Sequence, residues 1–151
     1  IGIMTFGAHV AEVEVDEVTG QVEVLEYWAA HDVGRAINTS SVEGQIQGGI
    51  VQMIGYALIE EMLWDNGRLI NPTMMDYKIP GMADVPYKIH PLIVEVPEES
   101  APYGAKGVAE ICAVGSAPAI VNAIQNAVGV RLTQIPATPE RVLNAMKKVH
   151  S

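Results

Sequence analysis

Cysteine is almost missing from this chain of 151 residues: Cys112 stands alone, which excludes an internal disulfide and any cysteine-built zinc cage. Basic residues are scarce as well. Nine Lys and Arg face eighteen Asp and Glu, a formal charge of −9 spread over several segments, so neither nucleic acid nor an anionic membrane is an expected partner. Aromatic side chains make up 5% of the residues, which leaves the core to aliphatic residues and to seven methionines, read as core filling. No apolar run is expected to reach the ~18 residues of a membrane span, and no charged-then-apolar leader opens the sequence. A reducing compartment, the cytoplasm, is the expected localisation. The chain starts at Ile1 rather than Met, directly on a strand-like segment, and reads as a single domain over residues 1–151 that is a piece of a longer polypeptide. Its composition is that of one globular domain with a sizeable core.

Two stretches alternate polar and apolar residues. Ala8–Asp16 and Gln21–Trp28 flank Glu17-Val18-Thr19-Gly20 and predict a β-hairpin with one face in water. Ser40-Ser41-Val42-Glu43 has the form of a capping box. A helix is expected to start there, with Val42, Ile46, Ile50, Met53, Ile54, Ala57, Leu58 and Met62 as one buried stripe over about five turns. Gly44, Gly48, Gly49 and Gly55 lie inside that helix at a cost of ~0.5–1 kcal/mol each relative to alanine. Either a neighbouring backbone or a ligand must offset the cost, with backbone packing the first expectation.

Asn66-Gly67 predicts a second, short hairpin, and the three prolines Pro72, Pro80 and Pro86 predict an irregular excursion from Asn71 through Pro86. Tyr87–Val96 reads as a strand. Ala117–Val128 reads as a buried helix capped by Ser116, and Thr138-Pro139-Glu140 opens a last helix striped by Val142, Met146 and Val149. The sum is an α+β fold.

The motifs that carry chemistry follow one another in a fixed order. They are His31-Asp32-Val33-Gly34-Arg35-Ala36-Ile37-Asn38, Val42-Glu43-Gly44-Gln45-Ile46-Gln47-Gly48-Gly49, Asn71-Pro72, Asp76-Tyr77-Lys78-Ile79-Pro80, Gly104-Ala105-Lys106-Gly107-Val108-Ala109-Glu110 and Ala137-Thr138-Pro139-Glu140-Arg141. In that order they resemble the C-terminal part of the molybdopterin-binding large subunit of the molybdenum hydroxylases, the xanthine dehydrogenase and aldehyde oxidase family. The resemblance implies the second molybdopterin-binding domain as the fold. It implies molybdopterin with molybdenum, possibly as a dinucleotide, as cofactor of the intact enzyme, and a cofactor-free, inactive state for the isolated chain. The implied partners are the remaining molybdopterin-binding portion of the large subunit, domains or subunits carrying iron–sulfur clusters and FAD, and a small-molecule substrate. The implied reaction is hydroxylation of a C–H bond on an aldehyde or N-heterocycle with oxygen from water. A non-catalytic assembly or interaction module of the same fold is the alternative.

Under that resemblance Glu110 is the general base that deprotonates the oxygen nucleophile. A base of this kind works best with a pKa near the working pH, which a closed, poorly solvated pocket supplies to a carboxyl. The family usually carries glycine just before this glutamate, where the present chain has Ala109. Alanine is disfavoured there if the position needs a positive φ. Gly44, Gln45, Gln47 and Gly48 are the candidate cofactor contacts on a helix start, where free N–H groups attract anions. Two solvated amides on an amphipathic helix are an equally good reading of Gln45 and Gln47. Lys106 and Gly107 complete the candidate set, with Lys106 as a neutraliser of cofactor charge or a plain surface lysine. No protein side chain is expected as a metal ligand, and His9, His31, His90 and His150 are too scattered to form one. Cys112 reads as a small buried hydrophobe rather than a redox group.

Overall fold

A computed structural model describes residues 2–149; Ile1, His150, Ser151 and the side chain of Val149 lie outside the described residues. The expected hairpin forms from β1 (Gly7–Val15) and β2 (Val22–Asp32), paired antiparallel. Asp16 closes its turn by accepting from the N–H groups of Val18 and Thr19, and Gly20 follows in the left-handed region at φ 77°. The register shifts between Glu12 and Val13, so that Val24 and Tyr27 both point into the core with Leu25 and Glu26 between them.

The first helix, α1, runs from Thr39 to Leu58, and its cap differs from the expected one. Asn38, not Ser40, is the N-cap: its side chain accepts from the Ser41 N–H at 3.0 Å, because Ser40 already has helical backbone. Val42, Ile46, Ile50, Ile54 and Ala57 are buried as expected, but the helix stops before Met62, which is exposed. Asn71 ties the chain down beyond the helix end: its buried amide accepts from Leu63 N–H and donates to the Glu61 carbonyl, holding residues 61–63 outside the helix.

A two-stranded ribbon follows, β3 (Trp64–Asp65) with β4 (Arg68–Leu69), turning through Asn66 and Gly67, both at positive φ. The irregular excursion brings Pro80 against Gly55, and Tyr77 donates to Glu60. Strand β5 (Lys88–Val94) then pairs parallel to β2, giving a three-stranded sheet of order β1-β2-β5 with α1 in the crossover. A short helix α2 (Ile111–Val114) leads through Gly115 into α3 (Ser116–Val128), and α4 (Pro139–Val149) closes the chain with Thr138 accepting from Arg141 N–H.

Three expectations need correction. Ile111–Val128 does reach 18 residues at mean hydropathy 1.4, but it breaks at Gly115, and α2 and α3 pack on α1, β1 and β2 as core elements. Of the seven methionines only Met53 and Met146 fill the core. Met4, Met62, Met74, Met75 and Met82 are exposed, three of them on the irregular excursion where no element lies over them. Ser116 also does not cap α3: it sits inside the helix, buried, and its hydroxyl donates to the Cys112 carbonyl.

The core lies between the inner sheet face and the helices. Tyr27, Ala29, Ile46, Ile50, Ile54, Ile120, Ile124 and Val142 form it, a mostly aliphatic core as the composition requires.

Candidate functional site

Helix α1 carries Gly44, Gly48, Gln52 and Tyr56 at four-residue spacing, so they line up along one face. Across from that face lies the turn of Ala109 and Glu110 with α2. The two walls enclose an open groove of about 880 Å³, lined also by Gln45, Gly49, Met53, Ala113 and Val114.

The four glycines of α1 divide into two kinds. A Cβ on Gly49 would lie 2.8 Å from Cys112 Cβ, and one on Gly55 would lie 2.6 Å from Pro80 Cδ, so both are consumed by close packing. Gly44 and Gly48 have nothing within 4 Å of where a Cβ would stand. The expected backbone packing therefore accounts for half of the set. The other two leave helix backbone bare on the groove wall, a cradle that a side chain would fill.

Glu110 stands exposed at the rim with helical backbone (φ −70°, ψ −31°), immediately before α2, and among the described residues no hydrogen bond or ion pair holds its carboxylate. Ala109 is compatible with this arrangement. The only non-glycine residues at positive φ among those described are Asn66 and Tyr103, so Ala109 carries no left-handed strain.

The turn is anchored on both sides. Behind it, the buried Cys112 packs on Gly49 and its thiol donates to the Val108 carbonyl at 2.7 Å; burial pushes that thiol's pKa up, which keeps it an inert hydrophobe. Ahead of it, Gly34 takes φ 65° so that its backbone can bridge to Ala105 between Gly104 and Lys106, where any side chain would strike Lys106 N at 2.9 Å. Lys106 N–H donates to the Val33 carbonyl, and Lys106 Nζ lies 2.6 Å from Asp32 Oδ2 with both side chains under a tenth exposed. Burial alone would raise the Asp32 pKa, but the Lys106 ammonium and the N–H groups of Gly34 and Val96 hold it below the ordinary carboxylate range.

Beneath the α2–α3 junction is a second polar cluster. His9 Nδ1 lies 3.0 Å from Tyr27 Oη, which donates to the Ser116 carbonyl, and the His9 ring stands edge-on to His31 with centroids 4.7 Å apart. His31 is fully buried with neither ring nitrogen paired. Burial first, and His31 second, push the His9 pKa down to about 4; burial also lowers that of His31.

The groove thus gathers Gly44, Gln45, Gly48 and Glu110 from the sequence-based candidates, and leaves three out. Gln47 is exposed away from the lining, because α1 turns it off the groove face. Lys106 is largely buried and paired with Asp32, so it is not a plain surface lysine, and neither it nor the exposed Gly107 lines the groove. Gly44–Gly49 also do not form a helix start. They sit in the second and third turns of α1, so the groove is bounded by a helix flank, and its lining contains no cation. The residues missed were Gln52, Met53 and Tyr56; the four-residue repeat running Gly44, Gly48, Gln52, Tyr56 was the signal that reveals two of them.

The donor set fits a large, flat, polar heterocycle: bare backbone at two glycines, amides on Gln45 and Gln52, a phenol on Tyr56 and one carboxylate opposite. Residues 2–86 match the family model described as a molybdopterin cofactor-binding domain. The chain is 38% identical over 148 residues to the nicotine 6-hydroxylase large subunit of Paenarthrobacter nicotinovorans, covering 95% of this chain and 18% of that protein. It is 37% identical over 145 residues to an aldehyde oxidoreductase of Megalodesulfovibrio gigas, covering 96% and 16% respectively. Among solved structures, quinoline 2-oxidoreductase from Pseudomonas putida 86 superposes with a TM-score of 0.89 at 39% identity over 94% of this chain and 18% of that one. The chain spans about a sixth of the length of these relatives.

Proposed function

Because the chain belongs to the molybdopterin cofactor-binding domain family, whose relatives here are molybdenum-binding subunits and oxidoreductases, we propose that it forms one wall of the cofactor pocket of a molybdenum hydroxylase and contributes Glu110 as the general base. The observation that carries this reading is the groove itself, in which two unpacked glycines of α1 face the turn bearing an unpaired carboxylate. A molybdenum–pterin group, when bound, supplies the two-electron redox chemistry. The bare backbone at Gly44 and Gly48 would leave room for a large ring, and the amides of Gln45 and Gln52 would be available to hold it by hydrogen bonds. A Glu110 carboxylate oxygen would accept the proton of the water-derived oxygen nucleophile as that oxygen bonds to the substrate carbon, while the C–H bond there breaks and gives up the electron pair that the redox group would take. The substrate class is an aldehyde or N-heterocycle with an activated C–H bond, and the electrons pass to iron–sulfur and flavin centres on partner domains or subunits. The setting is the cytoplasm, in keeping with one buried, unpaired thiol.

Glu110→Gln in the complete enzyme tests the assignment. Molybdenum and pterin content should stay near wild type while turnover falls by about 10²–10⁴, the range that a positioned base contributes. Turnover within a few-fold of wild type would remove Glu110 from the mechanism.

A further inference from the structure

Among the described residues, the three-stranded sheet has helices on one face only. α1 and α3 cover the inner side, where Ala11, Tyr27, Ala29, Ile89 and Ile93 join the core. On the outer side, residues of alternate parity form a face that changes character along its length. At the hairpin end it is acidic: Glu12 and Glu14 of β1 stand opposite Glu26 and Glu23 of β2. Beyond Glu12 it becomes apolar, with Val10 opposite Trp28, Trp28 beside His90, Ala8 opposite Ala30, and Ala30 beside Leu92.

A sheet face that meets water normally carries polar residues, as the hairpin end does. The apolar half breaks that rule. Val10 is 60% exposed and Leu92 51%, and the row continues back to Phe6 at 64%. Trp28 stacks flat on His90, with centroids 4.9 Å apart and planes within 6°, and His90 is held in place by Glu26 at 2.8 Å. A large aromatic stacked on a hydrogen-bonded imidazole is a rigid platform, which lowers the entropy cost of docking. The transition from four carboxylates to an apolar field falls at one line across the strands, so whatever covers the face ends at that line.

We infer that the apolar half of the outer sheet face is the seat of the remainder of the molybdenum-binding subunit, with Trp28 at its centre. The length argument favours this occupant over a second copy of the chain: in the relatives this segment makes up only 15–20% of a much longer polypeptide, and a domain layer needs a second apolar layer over it. The inference rests on family membership and sheet geometry, and stands whether or not Glu110 is the base.

The test is carbon-centred oxidative footprinting of the complete wild-type subunit, with each residue's labelling normalised to its own rate in the denatured subunit. Val18 at the hairpin tip, 85% exposed here, is the reference for open surface. Val10, Trp28 and Leu92 should label at least fivefold more slowly than Val18, and a photo-crosslinking amino acid at position 10 or 92 should join to peptides from outside these 151 residues of the same subunit. The same group at position 14, on the acidic end, should give no such product. Labelling of Val10 and Leu92 at the rate of Val18 would overturn the inference, and so would crosslinks joining two copies of this sheet face.

Discussion

Replacing both Gly44 and Gly48 by alanine separates stability from cofactor binding. Each glycine costs α1 about 0.5–1 kcal/mol relative to alanine, and at each position an added methyl group meets no atom within 4 Å. The double variant of the 151-residue chain should therefore be more stable by about 1–2 kcal/mol, an upward shift of roughly 2–8 °C in melting temperature for a domain of this size. In the complete subunit the same two methyl groups stand where the proposed ring approaches the backbone. Molybdenum and pterin content should fall severalfold even though the fold has gained stability. Thermal unfolding by circular dichroism reads the first effect, and metal analysis with pterin release reads the second. A stabilised variant that keeps its full pterin would refute the cradle, and a destabilised one would refute the open space. Gly49→Ala and Gly55→Ala are the internal contrast. Their methyl groups collide with Cys112 and Pro80, so each should lose about 1–3 kcal/mol.

Lys106→Met should cost about 3–5 kcal/mol at neutral pH, because it strands the Asp32 carboxylate in a buried site. Urea denaturation would show it, and a loss under 1 kcal/mol would mean that the pair is screened by water. The wild-type pair holds the Asp32 pKa down, so its stabilisation is present above the ordinary carboxylate pKa and disappears as the pH falls through the folded value; the gap between variant and wild type should narrow in acid. His9 has the opposite charge type but a folded pKa that is also depressed, from 6.5 to about 4, so the folded state resists protonation while the unfolded state accepts it. Stability should accordingly decline as the pH falls from about 6.5 toward 4, and His9→Gln should flatten that part of the profile, whereas an unchanged slope would assign it to other groups.

The hairpins, α1 and the two C-terminal helices were legible because their signals are local: alternation in Ala8–Asp16, Asn-Gly at residues 66–67, a four-residue apolar recurrence from Val42, and Thr138-Pro139 at a helix entry. The parallel pairing of β5 with β2 was not, since no local pattern encodes a partner some sixty residues away. Asn38 displaced Ser40 as cap because either residue satisfies the same preference and only the entering backbone angle decides between them. At the site, Glu110 and Gly44/Gly48 were visible as motifs. The fate of Lys106 was hidden, since sequence gives a lysine's charge and not the Asp32 that absorbs it from 74 residues away. The exposed methionines mark the other limit: hydrophobicity alone does not say whether a side chain fills this domain's core or waits for another surface.

The turn that bears Glu110 is pinned like a short bridge between two abutments. On one bank Lys106 is fixed to Val33 and Asp32, and on the other Cys112 is wedged onto the bare backbone of Gly49. Only residues 107–111 span the gap, a reach of at most about 18 Å even when fully drawn out. The backbone that carries Glu110 is therefore tethered beside the groove rim as long as both abutments hold. The Cys112 abutment rests on the same helix that lines the groove, so anything that pushes α1 outward moves the floor and the base together. The register between cradle and carboxylate is thereby mechanical, set by a van der Waals contact rather than by a hydrogen bond that water could replace.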